Sequence, residues 1–230
     1  MFWFRKKRYT ELGGGVPDPI MAGIPLGSDH ITADDRKAKP AFYSLREKLP
    51  PVGTQLNYDC VGWAGVALRE FQEREELRQT TSEILPFEDF SGVGLYALAK
   101  RHDGYKGKGT YISMATYIPE KYGTVYEEDY PERVYPNDPI LPDVPEFALA
   151  RALTRKVADS VMIDRGPQES FSGLTEALWK WKQPIIVGTM WYENTFPDRR
   201  GVLPQIKGKG RFGHAVAIVG YNDTTGLLEF

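Results

Sequence analysis

Leu49-Pro-Pro-Val-Gly-Thr-Gln-Leu-Asn-Tyr-Asp-Cys60-Val-Gly-Trp-Ala64 changes character at its centre. Two prolines and a glycine keep its first half out of regular structure. From Cys60 to about Gln79 there is no proline, and Val61, Ala64, Leu68 and Phe71 recur at the three- and four-residue spacing that lines one helix face. Asp59 stands where an N-cap belongs. The only cysteine of the chain therefore opens a long helix. Elsewhere a lone cysteine reads as a small buried hydrophobe. At a helix mouth it meets the positive end of the macrodipole and free backbone N–H groups, which lower the thiol pKa and can hold an oxyanion. That second reading needs a base, and the base is usually histidine.

Phe212-Gly-His-Ala-Val-Ala-Ile-Val-Gly-Tyr221 offers one. It reads as a strand, with Val216, Ile218 and Val219 serving the sheet and His214 at its head. A histidine on such a strand is either a satisfied core residue or a group turned into a site. Further helices are expected over 88–101, 111–122 and 171–182, with Gly123 and Pro184 as stops. Pro184–Met190 and Gly226–Phe230 read as strands, and Asn222–Gly226 as a hairpin connection. Five prolines within 130–145 mark a crossing segment between two lobes. Residues 1–40, with Gly13-Gly-Gly15 and four prolines, read as an irregular arm or leader without a helix. Helices first and strands last make an α+β order.

Composition narrows the function. A chain of 230 residues that is 41% hydrophobic supports one domain with a sizeable core. A formal net charge of -2 argues against nucleic-acid and membrane-surface partners. No apolar run approaches the roughly 20 residues that span a bilayer. The basic cluster Arg5-Lys-Lys-Arg8 follows its apolar stub instead of preceding it, unlike a secretory signal, so a cytoplasmic location is expected. One cysteine excludes an internal disulfide, and with three histidines no metal site or cofactor is expected. The Gly-Lys runs Lys106–Gly109 and Lys207–Arg211 lack the full phosphate-loop pattern.

The stretch 49–64 resembles the nucleophile segment of the papain-like cysteine peptidase family, especially its disulfide-poor bacterial and phage type. There a Pro-Pro-Val-x-x-Gln loop leads to a Cys at a helix start, then to small residues and an aromatic. Gly213-His-Ala-Val-Ala-Ile-Val-Gly-Tyr-Asn-Asp223 resembles the family's histidine strand almost word for word. Tyr43–Pro50, Tyr122–Glu128 and Pro184–Glu193 resemble framework stretches, so the likeness runs from about 41 to 230. It implies a two-lobed fold, with a helical lobe over about 41–135, an antiparallel β lobe over about 136–230, and a cleft between them. It also implies a thiol hydrolase of peptide bonds, acting on a peptide or protein. Cys60 is then the nucleophile, His214 the general base and acid, and Gln55 the oxyanion donor beside the Cys60 N–H. Trp191, Met190 and Gly213 are expected to line the substrate's path. The 154 residues between Cys60 and His214 are close to the roughly 130–150 of the papain type.

Three departures stand beside the likeness. The loop from Gln55 to Cys60 is one residue short, and Tyr58-Asp59 replaces the usual Gly-Ser or Gly-Ala. The Asn that orients the histidine in this family has no counterpart after Gly226–Phe230. The strands that follow it in the family are missing too, which leaves an exposed sheet edge that a second chain would complete. These departures carry an alternative, a catalytically impaired module that binds peptide or protein in its cleft. A thiol hydrolase of another acyl bond is a further reading.

Overall fold

A computed structural model describes residues 3–5, 30–56, 58–80, 88–132, 141–161, 163, 171–192, 194–204 and 207–230, with only the backbone of 3–5. In chain order its elements are β1 (Trp3–Arg5), α1 (Ala33–Ala38), β2 (Phe42–Ser44), α2 (Cys60–Thr80), α3 (Gly92–His102), α4 (Met114–Tyr122), α5 (Glu146–Ala152), α6 (Phe171–Trp181), β3 (Ile185–Tyr192), β4 (Gly210–Ile218), β5 (Gly220–Asn222) and β6 (Leu227–Glu229). Helices and antiparallel sheets make the fold α+β, in the order the sequence suggests. The chain divides into two compact units: a helical one, Lys48–Ser160, and a sheet one, Met1–Glu47 with Val161–Phe230.

Glycines set the packing of the helical unit. A Cβ on Gly62 would strike the Gly92 carbonyl, so α2 and α3 meet backbone to backbone. One turn on, a Cβ on Gly65 would come within 2.9 Å of the Leu95 side chain and 3.1 Å of the Ala115 carbonyl. The small residues after Cys60 are thus what let α2 lie close to its neighbours. Ser91 caps α3, its Oγ accepting from the Gly94 N–H at 2.8 Å. Val61, Phe71, Phe90, Leu95, Leu98, Met114 and Ile118 form the core, each contributing about 1.5–3 kcal/mol by burial. Helix α5, with buried Ala148 and Ala152, follows the proline-rich segment and was not expected.

In the sheet unit β3 and β4 pair antiparallel from Ile185↔Ile218 to Tyr192↔Gly210, with an irregularity between Trp191 and Tyr192. A four-stranded sheet has the order β1-β6-β5-β2. Helix α6 buries Phe171, Ala177 and Leu178. It is tied to α1 by Lys180–Asp35 at 2.8 Å and Arg36–Glu176 at 3.0 Å.

Several expectations are corrected here. Residues 1–40 are not without a helix: Thr32 and Asp35 form a reciprocal capping box at the start of α1. Residues 6–29, which hold the arm's triple glycine, lie outside the described residues. Gly213–Tyr221 is not one strand. It breaks at Val219, so that β4 pairs with β3 while β5 joins the other sheet. Val219 serves that second sheet, accepting from the Leu45 N–H at 2.8 Å. The edge expected to be open at 226–230 is closed on both sides. β6 pairs with β5 through Gly220↔Glu229 and with β1 through Trp3↔Glu229. The chain's own first strand occupies the place assigned to a second chain.

Candidate active site

Cys60 is the first residue of α2 and is partly accessible. The Trp63 N–H donates to the Asp59 carbonyl at 3.0 Å, closing the first turn around the thiol. The Asp59 side chain is fully buried. Trp63 is wedged between two glycines: a Cβ on Gly53 or on Gly92 would meet its ring. Its role is to seat the incoming loop on the start of α3. Gln55 is exposed on that loop. The next residue fixes the backbone there, because the Leu56 N–H donates to Glu132 Oε1 at 2.8 Å.

Beyond the thiol lies Tyr96 of α3. Its hydroxyl accepts from the Gly109 N–H at 3.1 Å. Burial raises the Tyr96 pKa, and negative charge on Asp59, Asp103 and Cys60 raises it further. Asp103 is buried and organises the loop after α3, accepting from the Tyr105 N–H at 2.8 Å and from Thr110 Oγ1 at 2.6 Å. The same loop places Lys108 Nζ 3.0 Å from the Tyr58 hydroxyl and over its ring. Tyr58 is half exposed under that ammonium.

His214 belongs to the sheet unit, on β4 opposite Thr189 of β3. Trp191 pairs with Phe212 and is the diagonal neighbour of His214 on the same face. The two rings meet edge to face, with centroids 4.8 Å apart and planes at 71°. Burial lowers the His214 pKa below its ordinary 6.5, so the ring is neutral at pH 7 and able to take a proton. Among the described residues no side chain hydrogen-bonds the imidazole. The Trp191 edge restrains the ring instead. Met190 and Gly213 pair directly across the other face. Met190 Cε would lie 2.7 Å from a Cβ on Gly210, whereas a Cβ on Gly213 would meet nothing within 4 Å among the described residues. Phe212, beside it, is exposed.

The sheet unit thus brings His214, Trp191, Met190 and Gly213 onto one hairpin. The helical unit holds Cys60 at a helix mouth and Gln55 on the loop before it. Sequence reasoning missed Glu132 and Asp103, which brace the loops on that side. The Leu56–Glu132 link spans 76 residues and carries no local signal.

No family model matches the sequence, and no curated protein does. Among solved structures the chain is similar to xylellain, a cysteine protease from Xylella fastidiosa, over 96% of this chain and 82% of that one, with a TM-score of 0.65 at 19% identity. The chain has the fold of the papain-like cysteine peptidases. Procathepsin B S9 from Trypanosoma congolense shares this papain-like fold with a TM-score of 0.60 at 14% identity, over 93% of this chain and 72% of that one. So does digestive procathepsin L 3 of the Tenebrio molitor larval midgut, with a TM-score of 0.57 at 15% identity over 82% of this chain. The chain spans only 57% of that precursor's length. Among the described residues no helix is long and apolar enough to cross a membrane.

Proposed function

We propose that the chain is a cysteine-type peptidase in which Cys60 is the nucleophile and His214 the general base and acid. The observation that carries the reading is the placement of the single thiol at the N-terminus of α2 in a papain-like fold. There the macrodipole and free N–H groups favour thiolate, and the neutral His214 imidazole takes the thiol's proton to become the imidazolium. The thiolate attacks the carbonyl carbon of a peptide bond. A C–S bond forms, and the carbonyl π pair moves to oxygen. The Gln55 amide and the Cys60 N–H donate to that oxyanion. As the pair returns, the C–N bond breaks and the His214 imidazolium gives its proton to the departing amine. His214 then takes a proton from water, which attacks the thioester and releases the acid and the thiolate. The substrate is a peptide or protein; Trp191 shares the His214 face of the β3–β4 pair and is the side chain assigned to receive it, whereas Met190 and Gly213 lie on the other face.

A second reading rests on a specific observation. No described side chain hydrogen-bonds the His214 ring, and the fully buried Asp59 adjoins the thiol, where its charge opposes a thiolate. On that reading the chain binds peptide without cutting it. Labelling by a peptidyl thiol electrophile at neutral pH separates the two. The peptidase reading expects labelling at Cys60 far faster than at a free thiol, with Cys60→Ala unlabelled and a peptide library cleaved by the unmodified protein. Labelling no faster than a free thiol, with a peptide retained uncut, supports the binding module.

A further inference from the structure

Glu132 is almost completely buried, at 3% exposure. It sits far along the chain from the segment that feeds α2, yet its Oε1 accepts from the Leu56 N–H at 2.8 Å. It is itself held, because its N–H donates to Glu127 Oε1 at 2.8 Å. The Glu127 N–H in turn donates to the Asp89 carbonyl at 2.8 Å. Asp89 immediately precedes Phe90, whose N–H donates to Glu70 Oε1 of α2 at 3.0 Å. A continuous run of hydrogen bonds thus leads from the middle of α2, through the approach to α3, to the backbone of residue 56. The loop before α2 is otherwise built from prolines, a glycine and exposed residues. Among its tethers are the bond to Leu56, the Trp63–Gly53 contact and, nearer α2, the Lys108–Tyr58 contact.

A buried carboxylate is costly to desolvate, and a buried acidic residue that spends one oxygen on a loop amide restrains that loop. Leu56 adjoins Gln55, so fixing the Leu56 amide fixes the point from which the Gln55 side chain extends. Resting on the peptidase reading above, we propose that Glu132 is a positioning residue: its carboxylate anchors the Leu56 amide and thereby aims the Gln55 amide at the oxyanion. Loss of an oxyanion donor outright costs roughly 10²–10³ in kcat, and loss of its aim is bounded by that.

Peptide turnover by the full chain tests this with four variants, each checked for an unchanged thermal transition. Glu132→Ala is expected to lower kcat about ten- to a hundredfold with KM little changed, because an oxyanion contact is made in the transition state. Glu132→Gln keeps an accepting oxygen and is expected to restore most of the rate. Gln55→Ala is expected to cost at least as much as Glu132→Ala. Adding Glu132→Ala to Gln55→Ala is expected to cost little more, since one residue acts through the other. Hydrogen exchange at the Leu56 amide is expected to quicken in Glu132→Ala and to stay slow in Glu132→Gln. An active wild type indifferent to Glu132→Ala, or full additivity in the double variant, overturns this inference alone. A wild type that cuts no peptide overturns the peptidase reading and this inference with it.

Discussion

The thiol and the imidazole are supported in opposite ways. Around Cys60 the helical unit uses hydrogen bonds to buried acidic side chains, over long sequence separations for Glu132 to Leu56 and Glu70 to Phe90, and within its own loop for Asp103. Around His214 the sheet unit uses backbone pairing and one aromatic edge, with no side-chain hydrogen bond to the ring among the described residues. A helix mouth projects its groups from loops, which need such anchors. A strand fixes its Cα positions through the ladder, but leaves a side chain's rotation about χ1 and χ2 to its neighbours. The nucleophile side is therefore defined to the level of single atoms, whereas the base side is defined in position and less in orientation.

Removing the base makes the largest expected difference. His214→Ala is expected to lower peptide turnover by about 10²–10⁴-fold, the usual worth of a positioned acid–base group. It is also expected to raise the Cys60 thiol pKa, read from the pH dependence of alkylation, because an imidazolium no longer stabilises the thiolate. An unchanged alkylation profile breaks the pairing of the two residues.

The next effect tests the close-packed side. In Gly62→Ala the new methyl meets the Gly92 carbonyl, so α2 and α3 must part. Destabilisation of about 1–3 kcal/mol is expected from denaturant titration. By contrast Gly213→Ala, with open space around it, is expected to change stability by under about 0.5 kcal/mol. Equal losses in the two variants would erase the contrast in packing between the units.

The same contrast explains what could be read from residues alone. The extent of α2 was legible because Val61, Ala64, Leu68 and Phe71 repeat at helical spacing and no proline interrupts the chain up to Gln79. The hairpin at Asn222–Gly226 was legible because its turn chemistry is local, with Asn222 Oδ1 accepting from the Thr225 N–H at 3.0 Å. Helix α1 was hidden because six residues give too little periodicity, and its Thr32–Asp35 box lies in a proline-flanked stretch. The break at Val219 was hidden because Ala215–Tyr221 is apolar throughout, and only pairing to two different sheets divides it. The closure of β6 by β1 joins residues more than 200 positions apart, through backbone groups that carry no side-chain signature. Nothing local in the sequence marks Glu132. Its burial is a product of the fold, and so is its bond to Leu56.

Acid and base should strain the units in opposite directions. Burial, aided by the nearby charges of Asp89 and Glu127, raises the Glu70 pKa to about 8 from 4.5. The folded chain then holds a proton that the unfolded chain releases, so this group's contribution falls by about 1.4 kcal/mol per pH unit as pH rises through that window. The His214 pKa is lowered from 6.5. There the unfolded chain binds the extra proton, and stability is lost as pH falls below 6.5 toward the folded value. Glu70→Gln keeps an oxygen for the Phe90 N–H and is expected to flatten the loss between pH 4.5 and about 8 while leaving the His214 loss below 6.5 intact. Unfolding midpoints across pH 5–9 (about the range spanned by ordinary and shifted values) read both limbs. A decline toward pH 8 unchanged in Glu70→Gln would show that Glu70 does not carry it.

The smallest expected effect concerns Trp191, and it sharpens the comparison most directly. If the aromatic edge is what restrains an imidazole with no side-chain hydrogen bond, Trp191→Ala should free the ring and wet it together. Exposure removes the cause that depresses the His214 pKa, so its titration should move up toward 6.5. Turnover should fall about tenfold, less than for loss of the base itself, because the group remains but is aimed less well. Trp191→Phe preserves an apolar edge against His214 and should recover part of both. The imidazole proton resonances report the titration independently of any reaction. A His214 pKa that stays low in Trp191→Ala would mean that other parts of the sheet unit keep water from the ring, and the base side would then be as firmly built as the thiol side.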